Sequence, residues 1–242
     1  MERLLQRRHG RIAGVIVEPR VQCASGMAMH DAAYMTGLRA LCDGYGAHLI
    51  ADEIAVGCGR TGTFFASEQS GVWPDFLCLS KGITGGYLPL SLVMAREHIY
   101  QAFYDDDLHK GFLHSHSYTG NPLACRAALE TLAIFEEERV LERNRGFART
   151  MTAALQPLAR DPRIAHFRNA GMIWACDAVI GDSAAAAGFS RRFALEAARR
   201  ELLMRPIGNT IYLMPPYILD AQEADWLGRR IYEVFATAME EA

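Results

Sequence analysis

Residues 47–62, AHLIADEIAVGCGRTG, and residues 75–87, DFLCLSKGITGGY, decide the fold. Each begins with an apolar run too short for a helix, ends on one charged residue and passes into a glycine-rich segment, which is the pattern of a buried strand feeding a loop. Working outward, RIAGVIVEP (11–19) and LSLVMA (90–95) read as two more strands, and residues 31–45 as an amphipathic helix between the first two. Continuous apolar strands separated by helices or long crossovers predict a mainly parallel sheet with both faces covered. From Asn121, with Pro122 suited to a first helical turn, a helix is expected through LACRAALETLAIFEEERV.

The pattern changes near residue 140. Helix-compatible stretches at about 141–157, 184–203 and 220–241 surround short strands at IAHFRN, GMIWACDAVI and TIYLMPP, which reads as α+β. The expectation is therefore two domains, 1–140 and 141–242. The polar helical segment at the start leads directly into a strand of central type, with no first βα unit beside it, so a preceding piece is expected.

Composition narrows the function. With 25 basic and 28 acidic residues the net charge is -3, which gives no basic footprint for nucleic acid or an anionic membrane. Apolar runs break well short of the ~20 residues that span a bilayer. MERLLQRRHG has no apolar signal core, so a cytoplasmic location is expected. Six cysteines without CxxC spacing suit reduced, mostly buried thiols.

Lysine is the informative residue, because only Lys81 and Lys110 occur among the 25 basic side chains. Lys81 ends the strand FLCLS and precedes GITGG, where an open α/β sheet presents side chains to a ligand crevice. Partial desolvation there would favour the neutral amine that Schiff-base chemistry requires. The alternative is a lysine snorkelling from a strand end. Asp52 ends another strand of the same sheet, and a carboxylate there could partner a pyridinium nitrogen. Alternatively Asp52 or Glu53 caps a loop or pairs with Arg60.

Gly57, Gly59 and Gly62 match GxGxxG, yet TGTFFASEQSGVWPD offers only a short helical turn, so a dinucleotide site lacks the helix N-terminus it needs. Asp105, Asp106, Asp107, His109, His114 and His116 could ligate a metal, but no helical HxxxH or carboxylate pairing supports it, and no metal is expected. The hydroxyls of Ser115, Ser117, Tyr118 and Thr119, just ahead of the helix at Asn121, better suit a phosphate. Arg205 precedes an aromatic, proline-rich strand and could receive a carboxylate bidentately, the alternative being a surface ion pair.

Four segments in order, VEPRVQ, LIADEIAVGCGRTG, CLSKGITGGYLPLS and SYTGNPLAC, resemble the class III pyridoxal 5'-phosphate (PLP) dependent aminotransferases of fold type I. The resemblance implies an α/β fold: the C-terminal part of a large, mainly parallel-sheet PLP-binding domain plus a smaller α+β C-terminal domain. It implies that Lys81 bonds to PLP and moves the proton during transfer, that Asp52 binds the pyridine nitrogen, and that Ser117, where relatives have Thr, donates to the phosphate across a dimer interface. It places Gln22 beside the ring, Arg205 on an oxo-acid carboxylate and Tyr212 in the substrate pocket. The run CASG after Gln22 is less glycine-rich than in relatives.

RPIGNTIYLMPPY is most similar to members that transfer an amino group from S-adenosylmethionine to 8-amino-7-oxononanoate in biotin formation. An ω-amino acid aminotransferase of the ornithine or 4-aminobutyrate type is the enzymatic alternative, and a non-catalytic fragment the other. The family's long block before VEP, with a Gly-Ser turn for the phosphate and an aromatic residue stacked on the ring, has no counterpart here. The chain thus looks like the C-terminal portion of a homodimeric enzyme.

Overall fold

The structure, a computed structural model, describes residues 1–181 and 183–240. They fall into two compact units: Met1–Arg20, His30–Cys58 and Thr63–Arg139 form one, while Val21–Met29, Gly59–Gly62 and the chain from Val140 form the other.

The first unit opens with helix α1 (Glu2–Arg8) and strand β1 (Gly14–Val17). The chain then lends the second unit a two-residue hairpin, β2 (Val21–Gln22) and β3 (Ala28–Met29). Helix α2 (Ala32–Tyr45) starts where the Asp31 carboxylate accepts the Ala33 amide at 2.8 Å, and stops at Gly46, whose φ of 67° a Cβ would strain. Its Met35, Leu38 and Cys42 recur at helical spacing and pack with Leu5 of α1 and with Val15 and Leu49 of the sheet. Strands β4 (His48–Asp52), β5 (Phe76–Leu79) and β6 (Leu92–Ala95) complete the order β1-β4-β5-β6. β1, β4 and β5 are parallel; β6 is antiparallel, because residues 80–91 turn back without a helical crossover.

The expected covering of both faces does not hold among the described residues. Ile16 of β1 is 65% exposed, and every residue of β6 is exposed. Helices α1 and α2 pack against Val15 and Leu49, whereas nothing described covers the side of Ile16. The unit closes with α3 (Glu97–Gln101) and α4 (Pro122–Glu137), whose cap is Asn121.

Arg139, at φ 49°, then separates α4 from α5 (Val140–Ala154), so the first of the two expected helices stops at Glu137 and Val140 opens the second. The stretch expected as one helix to 157 ends at Ala154, and Pro157, which has no amide to give, sits in the first turn of the separate short α6 (Gln156–Ala159). The antiparallel sheet β7 (Ile164–Ala170), β8 (Ile173–Ala178) and β9 (Thr210–Leu213) is backed by α7 (Ser183–Arg199) and α8 (Ala221–Glu240). Glu241, the last residue of the expected 220–241 helix, lies outside the described residues. The core joins Trp174 of β8, Phe189 and Phe193 of α7, Phe235 of α8 and Met151 of α5. Trp174 donates its indole N–H to Thr152 Oγ1 at 2.9 Å, so the buried ring leaves no unmet donor.

Two contacts explain why pieces of the first 140 residues fold with the second unit. Arg168 on β7 donates to the carbonyls of Gly26 (2.6 Å) and Met27 (3.1 Å) while its guanidinium meets Asp177. Gly171, at φ 58° in the β7–β8 turn, sits so close to residues 60–62 that a Cβ would lie 2.4 Å from the Thr61 carbonyl carbon.

Asp161 gives this unit a pH dependence. Hydrogen bonding to Arg163 outweighs burial and, with the Arg163 amide and Tyr232, lowers its carboxyl to about 2. A depressed carboxylate stabilises the fold above its ordinary range and ceases to do so as pH falls toward 2. Because Arg163 is partly solvated, the contribution is about 1–2 kcal/mol. Urea titrations of the parent and Asp161→Asn should differ by that amount at pH 6, and the gap should narrow to about a third near pH 2.5; an equal gap at both values would contradict the assignment.

Candidate active site

Parallel pairing of β4 with β5 puts Asp52 opposite Cys78, so the C-terminal ends of the two strands are neighbours. Asp52 is the last residue of β4, and Lys81 lies two residues past the end of β5. This is the edge at which open α/β sheets place ligands.

Lys81 adopts φ 47° at the start of a 3₁₀ turn, Lys81–Thr84. A left-handed non-glycine residue costs on the order of 1 kcal/mol and persists only when its surroundings fix it. They do so here. Ser80 Oγ donates to the Leu90 carbonyl and Thr84 Oγ1 to that of Leu88, both at 2.6 Å. Ile83 is buried with Cys58 and Ala128, and a Cβ on Gly82 would lie 2.9 Å from that of Cys58. The side chain of Lys81 itself is exposed, contrary to the expected partial desolvation, because the turn buries Ile83 and Thr84 and leaves the lysine outside.

Asp52 is half-buried, and its Oδ1 accepts the Ile54 amide at 3.1 Å. Burial first, and then the charge of Asp52, push the Cys78 thiol up. The adjacent Glu53 has the loop-capping role: it is 1% exposed, and its carboxylate accepts the Ala66 amide at 2.6 Å and the Ser67 amide at 2.8 Å. Burial raises its carboxyl despite hydrogen bonds from Ser67 and Ala66. Arg60 pairs with neither acid in the bonds described; it donates to the Pro215 carbonyl at 2.5 Å and lies 4.4 Å above the Tyr217 ring. The loop of Gly57, Gly59 and Gly62 is a series of turns with no helix at its glycines, the next helical piece being the 3₁₀ turn Ala66–Ser70.

Around residues 105–121, Lys110 pairs with Asp105, Asp107 accepts the His109 amide at 3.0 Å, and His116 Nδ1 accepts the Tyr118 amide at 3.1 Å. Ser115, Ser117, Tyr118 and Thr119 are exposed. Asn121 Oδ1 already accepts the first amides of α4, from Leu123 and Ala124, so the helix start expected to help hold an anion is occupied by its own cap. A phosphate at Ser117 would rest on hydroxyls instead.

In the second unit, exposed Arg205 and half-buried Tyr212 line one cleft of about 400 Å³ with Met214, Leu219 and Trp226. Gln22 is exposed on β2 of the same unit. Loop capping by Glu53, one of the alternatives the sequence offered, is what the structure shows. Sequence reasoning missed the close approach at Gly82 and Trp226 as part of the cleft, neither of which carries a local signal.

A lysine and a carboxylate at adjacent strand ends of an α/β sheet suit Schiff-base chemistry, and the chain belongs to a family of PLP-dependent enzymes: the sequence matches aminotransferase class-III over residues 1–235. Among its relatives, the adenosylmethionine-8-amino-7-oxononanoate aminotransferase of Helicobacter pylori (strain ATCC 700392 / 26695) is 44% identical over 228 residues, 92% of this chain and 52% of that protein. The protein of the same name from Nitratidesulfovibrio vulgaris is 42% identical over 94% of this chain and 43% of its own. The crystal structure of the Methanocaldococcus jannaschii protein of that name superposes with a TM-score of 0.90 at 32% identity, covering 100% of this chain and 56% of that one. An amine transaminase from an uncultivated Pseudomonas species, solved in a PLP-bound form, gives 0.88 at 37% identity over 98% of this chain and 55% of its own. The chain thus spans about half the length of the curated relatives it matches.

Proposed function

We propose that the chain supplies the lysine-bearing half of a PLP-dependent aminotransferase that aminates 8-amino-7-oxononanoate with S-adenosylmethionine as donor. The observation that carries this reading is the placement of Asp52 and Lys81 at neighbouring strand ends, in a chain 44% identical to a relative of that name. The residues fit PLP: an accessible amine for its carbonyl, a half-buried carboxylate for its ring nitrogen, and exposed hydroxyls at 115–119 for its phosphate. When bound, the cofactor supplies an electron sink for the bond being broken at the amino carbon.

The chain's own residues do the rest. Lys81, fixed by the turn beneath it, would bond to the cofactor's carbonyl and would move the proton at the substrate carbon. Asp52 would hold the protonated ring nitrogen, while Glu53 holds the loop that follows it. By the resemblance, Ser117 would donate to the phosphate and Gln22 would serve the ring. Arg205 receives the oxo-acid carboxylate, and the apolar cleft it shares with Tyr212, Met214 and Leu219 suits an aliphatic chain. The domains of this reading are 1–140, a partial cofactor domain, and 141–242; the working form is a cytoplasmic homodimer. Among the described residues no helix is long and apolar enough to cross a membrane.

The test is a kinetic comparison with the chain joined to the part of the Helicobacter pylori relative that it does not span. Arg205→Ala should raise KM for 8-amino-7-oxononanoate by roughly 10²-fold with a smaller change in kcat, the signature of a lost ground-state ion pair. Unchanged KM would remove the role of Arg205. Turnover with ornithine or 4-aminobutyrate in place of S-adenosylmethionine would favour the ω-amino acid reading.

A further inference from the structure

At the opposite end of β4 from Asp52, three side chains far apart in sequence converge: His48, the first residue of β4; Asp75, just before β5; and His98 on α3. One nitrogen of each imidazole and one carboxylate oxygen all lie within 4.8 Å of one another, with His48 Nδ1 at 3.9 Å from Asp75 Oδ2. We propose that His48, Asp75 and His98 form a binding site for a borderline divalent transition metal such as Zn²⁺, separate from the aminotransferase centre.

The carboxylate is already fixed. Asp75 is buried, its Oδ2 accepts the Leu49 amide at 2.7 Å and Arg39 at 2.8 Å, and its own backbone pairs with Leu49 and Arg96. The two imidazoles are exposed and their rings lie 6.4 Å apart at 26°, so they can close on an ion without unpacking the core. For atoms at this spacing some point lies within about 2.8 Å of all three, and movements of less than about 1 Å bring them to the 2.0–2.2 Å of zinc bonds.

Two nitrogens and one oxygen suit Zn²⁺, Ni²⁺ or Cu²⁺ and disfavour Mg²⁺ or Ca²⁺, which want all-oxygen shells. Three protein ligands leave a coordination position for water or a small anion. Arg39 and Arg96 oppose a dication here: Arg39 bonds Asp75 Oδ2 at 2.8 Å while also pairing with Asp43 at 2.7 Å, and Arg96 stands 3.6 Å from Asp75 Oδ1, so the affinity expected is modest. Bound metal would tie the start of β4 to α3, beside the antiparallel edge of the sheet.

Isothermal titration of the untagged chain with Zn²⁺, under reducing conditions with a non-chelating reductant, tests this. The parent should take up one equivalent that His98→Gln and His48→Gln each weaken about tenfold or more, while Mg²⁺ gives no heat. Both histidines are exposed, and the melting temperatures of the metal-free variants should stay within about 2 °C of the parent. Zinc uptake identical in parent and double variant would assign the metal to thiols or to other histidines and overturn the proposal. No uptake by the parent would overturn it as well.

Discussion

Lys81→Ala is expected to lower transamination by roughly 10⁴-fold or more, because one amine both anchors the cofactor and carries the proton. The assay uses the chain joined to the remainder of the Helicobacter pylori relative, with single-turnover kinetics to separate chemistry from binding. The structure makes this a chemical loss and not a folding one. Lys81 is exposed and its side chain is no part of the packing beneath it, where Ile83 and Thr84 are buried. Alanine tolerates the 47° φ about as poorly as lysine does, so stability should change by less than about 1 kcal/mol. An unfolded variant, or one retaining more than a few per cent of the rate, would contradict the role.

Asp52→Asn should reduce the rate by roughly 10²- to 10³-fold, the usual cost of removing one preorganised charge from a reacting centre. The substitution is informative because the asparagine oxygen can still accept the Ile54 amide that Asp52 Oδ1 accepts now. The start of the loop is thereby kept, and only the negative charge is lost. The absorption of the bound cofactor should shift toward that of the unprotonated ring. Glu53→Gln is the control beside it: its effect should appear as loosened protection of the Ala66 and Ser67 amides in hydrogen exchange, since the carboxylate holds those two donors. Equal rates in Asp52→Asn and the parent would show that the ring nitrogen is held elsewhere.

The parts of this arrangement that were legible in the sequence are those written in short-range pattern. Apolar runs ending at Asp52 and Lys81 marked β4, β5 and the ends where the candidate residues stand, the amphipathic stretch 31–45 marked α2, and Asn121 with Pro122 marked the start of α4. What was not legible depends on pairing over distance. An apolar run such as LVMA fits a parallel or an antiparallel strand equally, so the reversal of β6 was invisible, as was the exposure of its side chains. The hairpin of β2 and β3 has two residues per strand, too few for a period, and its place in the second unit is set by Arg168, about 140 residues away in sequence. The hub at Asp75 likewise joins Arg39, His48 and the pair Arg96 and His98 from three segments, none of which signals the others.

For the candidate centre, strand-end placement was predictable because the chemistry and the fold share one position. The exposure of Lys81 was not, since it follows from how Gly82 passes under Cys58. In the second unit, Arg205 and Tyr212 announced themselves by type, but Trp226 joins their cleft from the separate helix α8.

The most direct measurement is borohydride reduction of the PLP-loaded protein followed by peptide mapping. With only two lysines in the chain, the outcome has little room for ambiguity. A pyridoxyl label on the peptide containing Lys81, and none on Lys110, is the predicted result. Label on Lys110, or no label in protein that has demonstrably bound the cofactor, would contradict the claim that this strand-end lysine is the reactive amine.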